Sequence, residues 1–236
     1  MRRVLLACVL LLWAWPAQAA IAIVGTCNTV NATSVTIPTH STGDLLIIQS
    51  FREASGGGIT APGGAWTASA SADADNTSMR VGYQIAASSS QTSGTWTGAE
   101  ILIACVYSGA SGIASTSPVV QSGTATTATY SALTLESDGG AGTSWVFACA
   151  ISRNQDGTLD SDGPNGGATT EALRGQIVVG GGEAVCWDTN GAVSAWSSDP
   201  AGAFSATSYK TSVLEIEATP ISTGHPQNCL LLGVCE

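Results

Sequence analysis

GDLLIIQSFREASGGGITAPGGAWT, residues 43–67, carries four apolar side chains in succession at 45–48, and its later part is mostly glycine and small residues with one tryptophan. An apolar run this short, bounded by turn residues, reads as a strand buried on both faces rather than as a helix. Leu45 and Ile47 are therefore expected to enter a core between two sheets. Leu46 and Ile48 are expected to lie beneath a covering segment.

Outward from this stretch the same signals recur. SWVFACAIS, from Ser144, places large residues (Trp145, Phe147, Cys149, Ile151) on one side and smaller ones (Val146, Ala148, Ala150) on the other. TSMRVGYQIAA alternates Met79, Val81, Tyr83 and Ile85 with Arg80, Gly82 and Gln84; TSVLEIEA alternates Leu214, Ile216 and Ala218 with Val213, Glu215 and Glu217. Period two predicts strands with one apolar and one wet face. Pieces such as SRNQDGTLDSDGPNGG and DTNGAVSAWSSDPAG supply the glycine, asparagine, aspartate and proline that chain reversals need. The expected fold is all-β: a single-domain antiparallel β-sandwich, jelly-roll-like in form. TGDLLIIQSF and GTSWVFACAI open similar series of pieces, which suits either an internal duplication or the ordinary strand-turn rhythm of a sandwich.

The chain opens MRRVLLACVLLLWAWPAQAA: basic, then apolar, then small residues. This order predicts a signal peptide over residues 1–19, one domain over 20–219 and a tail over 220–236 that carries Cys229 and Cys235. The apolar part is too short to span a bilayer, and no later segment could do so. The expected location is extracellular, periplasmic or on a particle surface. Behind the leader, four arginines and one lysine face seventeen carboxylates, a balance that repels phosphate and excludes nucleic acid as a partner. Export would let Cys27, Cys105, Cys149, Cys186, Cys229 and Cys235 form disulfides, with pairings that sequence cannot choose. Cys229 and Cys235 could close a small loop. Cys105 and Cys149 sit in apolar runs and are expected to be small buried hydrophobes.

Several pieces in order resemble a jelly-roll-like domain of tailed-bacteriophage structural proteins and of some secreted bacterial proteins. The resemblance rests on a GDLL strand (residues 43–46), an AP-GG-W-T turn (61–67), a tyrosine strand ending in small residues (83–86) and the Y-x-G strand end CVYSG (105–109). It implies a non-enzymatic module at the exterior of a particle or cell, as in fibres, tails or head decoration. Other structural subunits, further copies of the chain or a cell-surface glycan would be its partners.

The residues offer little chemistry. His40 and His225 are the only histidines, both in turn-like settings that suit a solvated loop position, and no GxSxG elbow is present. Glu215 and Glu217 have the spacing of a glycosidase carboxylate pair, but the same spacing fits the solvent face of an alternating strand. A secreted carbohydrate-binding or glycoside-hydrolase-like sandwich is thus the alternative function. Trp66, Trp96, Trp187 and Trp196 fall in or beside loops, where they could stack on sugar rings or plug the ends of the sandwich. Asp156, Asp160 and Asp162, in NQDGTLDSDGPNG, supply oxygen ligands of the kind calcium takes; an acidic hairpin turn explains them equally. No other cofactor is implied.

Overall fold

The structure, a computed structural model, describes residues 20–53, 57–69, 72–74, 77–136, 143–153, 171–179 and 182–219. The leader, Asp156, Asp160, Asp162, His225, Cys229 and Cys235 lie outside the described residues. The described chain is all β, in two antiparallel sheets that face each other. The first half contributes β1 (Ala22–Ile23), β2 (Asn28–Val30), β3 (Leu45–Arg52), β4 (Thr67–Ala68), β5 (Ala72–Ala74), β6 (Thr77–Ile85) and β7 (Ile101–Ser108). The second contributes β8 (Ala110–Ile113), β9 (Val119–Tyr130), β10 (Trp145–Ser152), β11 (Ala172–Val179), β12 (Gly182–Asp188) and β13 (Asp199–Ala218).

The first sheet runs β1-β7-β3-β6-β4, with β2 also on β7 and β5 also on β6. The second runs β11-β12-β10-β13-β8, with β9 also on β13. In both, the third strand in chain order sits at the centre, the last lies on one side of it and the penultimate on the other. Each half of the chain therefore winds the same way within its own sheet. The order matches the sequence echo between β3 and β10 at the level of topology, and it does not confirm a jelly-roll form.

Side-chain alternation carries the packing. Leu45 and Ile47 on β3 meet Ile103, Phe147, Leu214 and Ile216 in the core between the sheets. Burying each such side chain is worth about 1.5 to 3 kcal/mol. Leu46 and Ile48 face outward into two further apolar clusters, beneath Ile37 and beneath Val35, Ile59 and Trp96 respectively. On β10 the larger residues enter the central core, while Val146, Ala148 and Ala150 support an outer cluster with Tyr130, Leu133 and Trp196. Gly43 starts β3 from a turn at φ 95°, a conformation that favours glycine. Its amide donates to Ala86 O at 2.9 Å, which fixes the register of β3 against the end of β6.

Two expectations are corrected. The outward faces of β6 and β13 are not wet: Gly82 and Gln84 are buried under loops, and so are Val213 and Glu215. The covering segments come from distant parts of the chain, so local alternation could not reveal them. Cys105 and Cys149 are not free thiols. Cys149 lies directly opposite Cys186 in the β10–β12 register and is bonded to it. Cys27 extends the β2–β7 register by one residue and is bonded to Cys105, with Cα atoms 4.5 Å apart. That spacing belongs to directly opposed antiparallel residues, so each bond ties neighbouring strands of one sheet.

Candidate functional site

The outer face of the first sheet is roofed by two loops, one leading into β3 and one joining β6 to β7. They run side by side and are bonded to each other. Trp96 N–H donates to Thr33 O at 2.7 Å, and Val35 N–H donates to Ser93 Oγ at 3.0 Å. His40 completes the join. Its Nδ1–H donates to Pro38 O at 2.7 Å, which leaves Nε2 to accept the Gln91 N–H at 3.2 Å. His40 is only 6% exposed, so the expectation of a solvated loop histidine is corrected. The ring is consumed in holding one loop to the other, which explains why a histidine is tolerated there.

Between these loops lies an open groove of about 680 Å³, bounded by residues 34–40 and 89–95. Exposed hydroxyls of Ser34, Thr36 and Thr39 line one wall, and those of Ser89, Thr92 and Thr95 the other. Ile37 and Pro38 also border it, and both are buried. Among the described residues no carboxylate, lysine or arginine lines it. Sequence reasoning missed this site, although the hydroxyl-rich runs SVTIPTHST and SSSQTSGT were a visible signal.

The four tryptophans do not converge. Trp66 and Trp96 meet edge to face on the first sheet, with ring centroids 5.9 Å apart, while Trp187 and Trp196 share the outer cluster of the second sheet. Trp96 and Trp196 are buried and donate their indole N–H groups to Ser93 O (3.2 Å) and Ser131 O (2.9 Å). Trp187 is buried as well. These three pack into the apolar clusters on the outer faces of the two sheets; of the four, Trp66 alone is partly exposed.

The carboxylates are also committed to the fold. Glu215 is 0% exposed: Ser144 Oγ–H donates to Oε1, and Glu136 N–H donates to Oε2 at 2.8 Å. Its backbone N–H takes Ser117 Oγ as acceptor at 3.0 Å. Glu217 is partly exposed and points the same way along β13. Asp188 is buried against Tyr107 and Arg174. Among the described residues no group of three or more metal-ligating side chains comes together. Comparison with protein-family models, curated proteins and solved structures finds no match to this chain.

Proposed function

We propose that this protein is a non-enzymatic structural or binding module at the exterior of a cell or particle, of the kind found in phage fibres, tails and head decoration. Glu215 carries the reading. A catalytic carboxylate must reach the substrate and change protonation during the reaction. Glu215 instead lies sealed beneath residue 136, with both oxygens accepting hydrogen bonds that secure β13 to its covering loops. Two internal disulfides, Cys27–Cys105 and Cys149–Cys186, fit an oxidising compartment. The resemblance of the GDLL and AP-GG-W-T stretches favours the same class.

The test combines location with chemistry. Immunogold labelling should find the protein on the outer surface of the producing cell or of particles it releases, and incubation with a panel of polysaccharides should release no reducing ends. Turnover that disappears in Glu217→Gln, the partly exposed member of the pair, would replace this reading with a glycoside hydrolase.

A further inference from the structure

We infer that the groove between residues 34–40 and 89–95 binds a neutral saccharide. The inference rests on the reading that the protein acts by binding, and it names the class of ligand that this recess takes. Its volume of about 680 Å³ lies within the usual range for small-molecule sites. Chemistry narrows the choice further.

Serine and threonine hydroxyls each donate one hydrogen bond and accept others. A sugar hydroxyl has the same dual capacity, so the exposed hydroxyls contributed by both loops can pair with a polyhydroxylated ring. An anionic ligand would find no charge-assisted partner, because no lysine or arginine among the described residues lines the groove. The formal net charge of −10 would repel it as well. A peptide captured by strand addition needs an open sheet edge, whereas both walls are loop.

The walls are set before a ligand arrives. The bonds from Trp96 to Thr33, from Val35 to Ser93 and from Gln91 to His40 hold them at fixed separation. Preorganisation reduces the ordering cost that weakens binding by flexible loops. His40 has both ring nitrogens engaged, so it positions the wall and leaves ligand contact to the hydroxyls.

The full secreted chain, labelled with 15N, should be titrated with cellotetraose, maltotetraose and chitotetraose, and with oligogalacturonate as the charged control. At least one neutral tetrasaccharide should bind saturably, with the amide shifts concentrated in residues 34–40 and 89–95. Replacing two hydroxyls by methyl groups in Thr36→Val/Thr92→Val should weaken that binding by about tenfold, at roughly 0.5 to 1.5 kcal/mol per lost hydrogen bond. If that variant misfolds, Thr39→Val/Thr95→Val serves in its place, with thermal melting confirming the fold. Absence of saturable binding by any of the three, shifts centred elsewhere, preference for oligogalacturonate or an unaltered affinity in the valine variants would each overturn the inference. Binding accompanied by hydrolysis would overturn the non-enzymatic reading and leave the groove's ligand intact. An exterior protein that ignores every saccharide would do the reverse.

Discussion

Tyr107 and Asp188 belong to opposite sheets and meet through the core, the phenol donating to Asp188 Oδ2 at 2.8 Å. Arg174 closes on the same carboxylate from β11, its Nε and Nη2 each donating at 2.6 Å, to Oδ2 and Oδ1 respectively. The Asn190 N–H adds a bond to Oδ1 at 2.9 Å. A buried carboxylate satisfied this fully joins the two halves of the chain.

Its removal should be costly. Asp188→Asn strands the half-buried Arg174 and should lower stability by about 3 to 5 kcal/mol, whereas Tyr107→Phe removes one charge-assisted bond and should cost about 1.5 to 3 kcal/mol. Burial, then the charge and hydrogen bond of Asp188, push the Tyr107 phenol well above its ordinary value of 10.0. The unfolded chain ionises this phenol near pH 10, while the folded chain keeps it protonated. The associated stability is complete below about pH 10 and drains away as pH climbs towards the raised folded value. Urea titrations between pH 8 and pH 11 should therefore show a steeper alkaline loss in the parent protein than in Tyr107→Phe. Parallel curves would count against this account.

The disulfides should contribute unequally. Cys27–Cys105 closes a sequence separation of 78 residues and Cys149–Cys186 one of 37. In the chain-entropy view these constrain the unfolded state by about 4.5 and about 4 kcal/mol. Urea unfolding of Cys27→Ala/Cys105→Ala should thus show the larger loss, with Cys149→Ala/Cys186→Ala close behind. Because Cys105, Cys149 and Cys186 are buried, mild reductant should leave both bonds intact until the protein is unfolded.

Much of the sandwich was legible in the sequence because strand periodicity is a local property. Leu45 against Leu46, and Trp145 against Val146, fall on the two faces that alternation and side-chain size assign them. What distant segments contribute was not legible. Glu215 reads as a solvent-facing acid until Ser144, 71 residues away in sequence, is brought onto it. The groove exists because Val35 bonds Ser93 across 58 residues, and no pattern within either run encodes that meeting. Cysteine pairing was illegible for the same reason: the opposed positions depend on register between strands, which the sequence does not print.

Glu136 offers an acid-side measurement. Its Oε1 accepts from Ser115 Oγ at 2.6 Å and from Thr116 N–H at 2.9 Å. The Ser115 bond first, then that of Thr116, hold its carboxyl below the ordinary 4.5. A depressed carboxyl stabilises the fold above its unfolded value and loses that contribution as pH falls through the folded one. NMR titration of Glu136 should therefore give a midpoint below 4.5 that moves back upward in Ser115→Ala. An unchanged midpoint in the variant would assign the depression to another cause.

Gly82 on β6 tests the roof over the first sheet. A Cβ at this position would run into the outer edge of the Trp96 ring, and it would also stand 3.5 Å from Thr67 O on the neighbouring strand. The ring cannot yield easily, since Trp96 is fully buried and held through its indole N–H and backbone amide. Gly82→Ala should therefore destabilise by about 1 to 3 kcal/mol, the usual cost of forcing extra volume into a packed site. Trp96→Phe removes the part of the ring in conflict and should make the added methyl better tolerated, even though it loses packing on its own. A double-mutant cycle by thermal denaturation measures this directly, and the coupling should favour the double variant over the sum of the singles. Additive losses would mean that the indole does not set the height of the roof.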